Sequence, residues 1–358
     1  MIRVRLASDA DGPALLDLFG RTPLEAGTSF VLDRSPDFGA LPRLRGEHRT
    51  FLALDEAGVV GTASALWHDV EDAGRTVRVG EIADLRVDRR IRGGRAAAYL
   101  LAAVGNIFAE RSVDWVTCLI GDHNRAARTL TEGKAGLPPL ARLTRYASVH
   151  FVAWGIPAVS RRRGLEIRAA GPEDGVVLSS LIEAAAARRR FVPRPLLAWP
   201  DPLGSHRAWI AFVHGVPVGA LLAWDPDSVR RIRVVSYRPA DLPLRTAVAV
   251  ASALGLAAPL PVPGGVLRLL ATRWLAAPGQ PDVAAALVRA AMRAAAKDGM
   301  NVVQVNLDES DPALRALPAS PRSTYWSTLY GRPLRDTDAC PPGVFPKPSV
   351  FHTDVALV

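Results

Sequence analysis

Residues 79–104 read VGEIADLRVDRRIRGGRAAAYLLAAV. Ile82, Leu85 and Val87 are apolar with polar residues between them, the alternation of a half-buried strand. From Ala96 to Val104 the chain is rich in alanine, a strong helix former, and Leu100, Leu101 and Val104 fall on one side of the predicted helix. Between strand and helix lies a loop with Arg89, Arg90, Arg92 and Arg95 around Gly93 and Gly94. Such a strand, glycine–arginine loop and helix is laid out as an anion site. The first N–H groups of the helix have no partner within it and point at the ligand, and the helix dipole adds to them. Two glycines permit close approach and positive φ.

Downstream, a predicted strand Trp115–Ile120 is followed by GDHNRAARTLTEGKAGLP (121–138). Asn124 is placed to cap a helix that carries Ala127 and Leu130. The two segments together resemble the GCN5-related N-acetyltransferases. Motif A of that family, Arg/Gln-x-x-Gly-x-Gly/Ala, cradles the CoA pyrophosphate, and Arg92-Gly93-Gly94-Arg95-Ala96-Ala97 fits its frame with Arg95 at the central glycine. Motif B, Asn-x-x-Ala-x-x-Leu, is matched by Asn124, Ala127 and Leu130. The resemblance implies an acyl-CoA cofactor, acetyl-CoA or another acyl-CoA, bound by Arg92, Gly93, Gly94, Arg95, Ala96, Ala97 and Asn124. Backbone groups near Leu85 and Val87 would hold the pantetheine arm and polarise the thioester carbonyl. Family members often follow motif B with a tyrosine that protonates the departing thiolate. Here that position is Thr131, and Tyr146 is the candidate substitute. The family also often has a glutamate on the strand before motif A as proton acceptor. Glu81 and Asp84 are the available acids, and regular alternation puts them on opposite faces. Glu81 is the chosen base.

The chain repeats itself. VRLASDADGPALLDLF (4–19) aligns without gaps on IRAAGPEDGVVLSSLI (167–182), pairing Arg5 with Arg168, Asp11 with Asp174 and Gly12 with Gly175. Each reads as strand, polar turn, amphipathic helix, with Asp9 or Asp11, and Glu173 or Asp174, available to the positive helix end. FLALDEAGVVGTASALW (51–67) matches WIAFVHGVPVGALLAW (209–224), with Gly61 over Gly219 and Trp67 over Trp224, and each reads as a β-hairpin. The same order and nearly the same offset argue for tandem domains. The expected fold class is α/β: two GNAT-like domains, 1–160 and 165–358, each a mostly antiparallel mixed sheet flanked by helices. SRRRG (160–164) reads as a polar linker, with Arg161–Arg163 as an alternative phosphate patch.

The second half keeps the topology with a different loop. VLRLLATRWLAAPGQPDVAAALVRAAMRAAAKDG (266–299) predicts a strand Val266–Ala271, a loop Trp274–Pro281 and a helix Asp282–Lys297 with Asp282 as N-cap. Gly279 is present, but no Arg-x-x-Gly-x-Gly/Ala, and Pro278 and Pro281 remove donors. Asn306 and Asp308 follow a strand as a looser motif B, and FHTDVALV (351–358) alternates like a final strand. The resemblance implies one active half, the first, with the second shaping the acceptor site.

Composition bounds the rest. The chain has 358 residues, 49% hydrophobic and 22% charged, an ordinary globular mixture. No apolar run reaches the roughly 18 residues of a membrane helix, and the N-terminus alternates as a strand without a signal-peptide core, so a cytoplasmic protein is expected. The net charge of +9 suits an anionic partner, but no nucleic-acid motif accompanies it, and the phosphates of a cofactor suffice. Two cysteines, Cys118 and Cys340, and seven histidines without ligand spacing point to no disulfide framework and no metal. The expected partner is a small-molecule or amino-group acceptor, with a monomer or homodimer as the assembly. The expected reaction is acetyl transfer from acetyl-CoA to a primary amine by direct attack. The alternatives are a non-catalytic CoA-binding or regulatory protein and an enzyme of altered chemistry on the same fold.

Overall fold

The computed structural model describes residues 1–26, 28–72, 74–133, 138–155, 162–193, 206–335 and 350–352. The first half runs β1 (Arg3–Leu6), α1 (Gly12–Arg21), β2 (Leu24–Ala26), β3 (Thr28–Asp33), α2 (Ala40–Arg45), β4 (Glu47–Asp55), β5 (Gly58–Asp72), β6 (Arg75–Val87), α3 (Ala96–Glu110), β7 (Trp115–Gly121), α4 (Arg125–Thr131) and β8 (Ala141–Val152). The second runs β9 (Leu165–Ala169), α5 (Gly175–Ala186), β10 (Arg189–Arg190), β11 (Val192–Pro193), β12 (His206–Val213), β13 (Val216–Trp224), β14 (Arg231–Ser236), α6 (Leu242–Ala253), β15 (Val266–Leu267), β16 (Leu269–Ala276), α7 (Pro281–Lys297), β17 (Val302–Asp308), α8 (Ala313–Ala316), β18 (Arg322–Pro333) and β19 (Val350–Phe351). No helix among the described residues is long and apolar enough to cross a membrane.

The repeat is present down to side chains. Arg5 grips Asp11 with two hydrogen bonds of 2.7 Å, and Arg168 grips Asp174 with bonds of 2.6 and 2.7 Å. The same aspartates accept the backbone N–H of Ser8 and of Gly171, closing the turn before α1 and α5. Both hairpins form, Leu54 and Asp55 returning at Val59 and Gly58, and Val213 at Val216. His214 and Gly215 both have positive φ, as a two-residue hairpin turn requires.

The two halves do not keep separate sheets. Their strands join one sheet in the order β1-β4-β5-β6-β7-β18-β8-β17-β16-β13-β12-β9. The last long strand of each half crosses over: β18 of the second half lies between β7 and β8, and β8 of the first half lies between β18 and β17. Within each half the strand before the key helix pairs in parallel with the strand after it, β6 with β7 and β16 with β17, as a helical crossover demands. A smaller sheet, β15-β14-β3-β2, joins the halves again through β14 and β3. At the seam, Val70, Val77, Val79, Trp115, Tyr146, Phe191, Leu329 and Phe351 form one buried cluster from both halves.

Several sequence expectations are corrected. The strand before α7 breaks at Arg268 and its main part, β16, runs to Ala276, so Trp274 is strand and not loop. Gln280, not Asp282, caps α7, because Pro281 takes the first helical position and moves Asp282 into the first turn. Of the terminal stretch, Val350 and Phe351 pair with Arg189 and Arg190 in parallel, and residues 353–358 lie outside the described residues. So do Ser160, Arg161 and Cys340. Arg162 of the expected linker makes an ion pair with Asp282 (3.0 Å).

Candidate functional site

The loop after β6 is held at its start by Asp88, which accepts the N–H of Arg90 (2.9 Å) and pairs with Arg21 (3.0 Å). Gly93 has φ +84, the left-handed region glycine favours, and Gly94 follows with its N–H on the Ile91 carbonyl (3.2 Å). Arg95 has φ −79 and ψ −5, an ordinary right-handed conformation. The backbone at the central motif position therefore needs no glycine, which is why arginine is accommodated. No side chain caps α3, and the first N–H to find a helical partner beyond the cap is that of Tyr99 on the Arg95 carbonyl (3.0 Å). Arg92, Gly93, Gly94 and Arg95 are exposed. No carboxylate among the described residues pairs with Arg92 or Arg95, whereas Arg89 is taken by Glu25 and Arg90 by Asp88. Open N–H groups, a dipole and two uncompensated guanidiniums converge there.

β6 and β7 pair only from Val79–Trp115 to Glu81–Thr117, and beyond that β6 stays with β5 while β7 follows β18. The two strands splay where Ile82–Val87 begin, so Leu85 and Val87 sit beside a gap in the sheet. Ile82, Leu85 and Val87 face α3 with Ala63, Ala65 and Trp67.

The opposite face carries the acids, and here the alternation argument fails. The pairing of β5 with β6 shifts between Thr62–Arg86 and Ser64–Ala83, so that Asp84 and Leu85 together oppose Ala63. Asp84 takes φ +54 in this bulge. The extra residue puts Asp84 on the same face as Glu81. There Ser64 Oγ donates to Asp84 (3.2 Å), and Arg34 grips it with bonds of 2.9 and 2.6 Å. Glu81 accepts from Arg45 through Oε1, and no hydrogen bond to its Oε2 occurs among the described residues. Burial alone would raise the Asp84 carboxyl, but the charges of Arg34, Arg45 and Arg86 outweigh it and hold the group below its ordinary range. His68 lies diagonal to Glu81 across the β5–β6 pair, with its buried Nδ1 lacking a hydrogen-bond partner, and burial keeps the imidazole neutral to lower pH than usual. Cys118, also on β7 near Glu81, has its thiol pushed up to about 12 by burial.

Two expected site residues, Tyr146 and Asn124, have other duties, as does Thr131 at the family's tyrosine position. Tyr146 is 4% exposed and donates its hydroxyl hydrogen to the Phe351 carbonyl (2.6 Å), and burial raises its pKa well above the ordinary value. It is a seam residue, not an available proton donor. Asn124 caps α4, accepting the Ala127 N–H (3.0 Å). Thr131 Oγ1 donates to the Arg128 carbonyl (2.8 Å). The sequence reading passed over Arg34, Arg45 and His68. Arg34 and Arg45 lie far from β6 in sequence and follow no motif, and only folding brings them to Asp84 and Glu81.

In the second half the corresponding loop turns at Gly279 (φ +71), but Pro281 lacks an N–H and the Asp282 carboxylate stands in the first turn, paired with Arg162. That helix end therefore has one donor fewer and a carboxylate in its first turn, unlike α3. Among the described residues no three His, Cys, Asp or Glu side chains are grouped to hold a metal ion.

No known family profile matches the chain, and no curated protein matches it. Solved structures do. N-myristoyltransferase of Saccharomyces cerevisiae, with bound myristoyl-CoA and inhibitors, aligns over 92% of this chain and 79% of its own, with a TM-score of 0.58 at 12% identity. A second structure of that enzyme, with bound myristoyl-CoA, covers 92% and 82%, with a TM-score of 0.56 at 13% identity. A GCN5-related N-acetyltransferase from Anabaena variabilis covers 93% and 72%, at 12% identity and a TM-score of 0.49. The fold is that of the two N-myristoyltransferase structures, here a single mixed sheet to which both halves of the chain contribute strands.

Proposed function

We propose that this protein is an acyl-CoA-dependent N-acyltransferase whose active half is the first. The observation that carries the reading is the uncapped N-terminus of α3 with Arg92 and Arg95 unpaired beside it. A diphosphate fits there: Gly93 lets the backbone approach, Arg95 adds a cation without distorting the loop, and the half-buried Ala97 has its N–H in the first turn of the helix. The backbone of Leu85 and Val87, at the edge of the splay, would take the pantetheine arm. Bound acyl-CoA supplies an activated thioester, and the acyl group most simply carried is acetyl, moved to a primary amine by direct attack. Glu81, with no hydrogen bond to its Oε2 among the described residues, would accept the amine proton. Neutral His68 stands beside it. Asn124 orders the helix that borders the cofactor rather than binding it through its side chain. A protein that binds CoA without turnover is the second reading, favoured by the ties of Glu81 to Arg45 and of Tyr146 to Phe351.

The test is thermal unfolding of the full chain with CoA, acetyl-CoA and dephospho-CoA, on wild type and Arg92→Glu. A ligand present at about a thousand times its Kd adds roughly 4 kcal/mol, a Tm rise of roughly 5 °C for one cooperative unit of this size. The expected result is a rise in wild type that Arg92→Glu removes. No rise with any CoA species ends the reading, and a rise unaffected by Arg92→Glu moves the site to the second half. CoA release with a panel of primary amines then separates enzyme from binder.

A further inference from the structure

The bulge in β6 is of the kind whose first residue is left-handed, a position glycine ordinarily fills. Here the residue is Asp84, at φ +54. What aspartate adds over glycine is a carboxylate, and that carboxylate is fully engaged by Arg34 and Ser64. Arg34 is itself immobilised. It is 2% exposed, and its guanidinium packs against the rings of Phe19 (4.9 Å) and Phe38 (5.1 Å), which meet each other edge to face. On either side of Arg34 the chain is held by the second half: Arg233 pairs with Asp33 (2.8 Å), and Arg231 donates to the Ser35 carbonyl (3.2 Å). Both arginines are on β14, which pairs with β3 from Arg231–Asp33 to Ser236–Ser29. A continuous chain of contacts therefore runs from β14 through Arg34 to the turn that aims the Leu85 backbone into the β6–β7 gap.

We propose that Arg34 is a positioning residue of the acyl-CoA site, by which the second half holds the left-handed turn at Asp84 and so sets the backbone of the cofactor strand. The proposal rests on the acyl-CoA reading of the first half. It gives the second half a definite part in that site even though its own loop lacks the glycine–arginine pattern. Arg34 stays on the side of the sheet opposite α3 and touches no phosphate position, so its effect on the cofactor passes through backbone conformation alone. Glycine at position 84 holds the same turn without a partner, and this is what makes the idea testable.

The experiment measures acetyl-CoA and CoA affinity, by calorimetry on the full chain, for wild type, Arg34→Met and the double variant Arg34→Met/Asp84→Gly. Arg34→Met leaves a buried carboxylate without its cation, and acetyl-CoA affinity is expected to fall at least tenfold. The double variant removes that carboxylate and supplies a residue at ease in the left-handed region, and affinity is expected to return to within about threefold of wild type. Equal affinity in wild type and Arg34→Met overturns the proposal, and so does a double variant as weak as the single one. Should Arg34→Met fail to fold, the double variant alone decides: near-wild-type affinity upholds the proposal, and loss of affinity sinks it. If wild type itself binds neither CoA nor acetyl-CoA, the acyl-CoA reading has failed and the proposal falls with it. That result is distinct from the others.

Discussion

At the scale of single residues, burial and pairing decide which ionisable groups remain available. His352 is 7% exposed and stacks on Trp274, with ring centroids 4.4 Å apart and planes at 10°. Its Nδ1 has no hydrogen-bond partner, and its pKa is pushed well below the ordinary value by burial, then by Arg189, Arg273 and His68. A histidine depressed in this way binds a proton more readily unfolded than folded. Its contribution to stability is complete above its unfolded pKa of about 6.5 and is lost as pH falls from there toward the lower folded value. Tm is therefore expected to drop between pH 7 and pH 5, and to drop less in His352→Phe, which keeps the ring against Trp274. Identical slopes in the two proteins would show that this histidine does not govern the acid limb. The residue scale was also where sequence reading was weakest. Glu81 and Asp84 were legible as candidate acids, but their faces were not, because one extra residue in β6 reverses the alternation. Tyr146 was chosen by residue type, and its commitment to Phe351 links positions 205 residues apart.

At the scale of elements, much was legible. A glycine recurs in the same place in both hairpins because a helix must lie on it. A Cβ at Gly61 would stand 3.0 Å from the Arg86 carbonyl and 3.2 Å from Leu100 of α3, and one at Gly219 would stand 3.0 Å from both the Ala276 carbonyl and Val283 of α7. The strand–loop–helix unit and its repeat were readable because such close contacts, and the capping aspartates Asp11 and Asp174, are local requirements. Gly80 makes a related demand that no motif announces: its Cβ would meet the ring of Phe108, on α3, at 2.7 Å. Phe108 is buried and has little room to give way. Gly80→Ala is expected to lower stability by about 1–3 kcal/mol through overpacking, measured by chemical denaturation. An unchanged midpoint would mean that α3 rides over the sheet more loosely than this contact implies.

At the scale of the whole molecule, the reciprocal crossing of β8 and β18 makes the halves one folding problem. Residues 1–160 alone would lack β18 and leave β7 and β8 with unpaired edges. That fragment is expected to aggregate or to assemble as a dimer in which a second copy fills the gap, while co-expression with residues 162–358 is expected to yield a stable complex. Size-exclusion chromatography with denaturant unfolding checks this, and a monomeric, cooperatively folded 1–160 would refute it.

The amino-acid sequence by itself determined the class of fold, the duplication and the place of the glycine–arginine loop between β6 and α3, since these follow from periodicity, glycine and charge within some 30 consecutive residues. The tertiary structure alone decided that the two sheets merge by exchanging strands, that Arg34 and Arg45 hold the two acids of β6, and that Tyr146 belongs to the seam. These are pairings between distant segments, settled by which edges and buried charges meet once the chain has closed on itself, and local pattern carries no record of that choice.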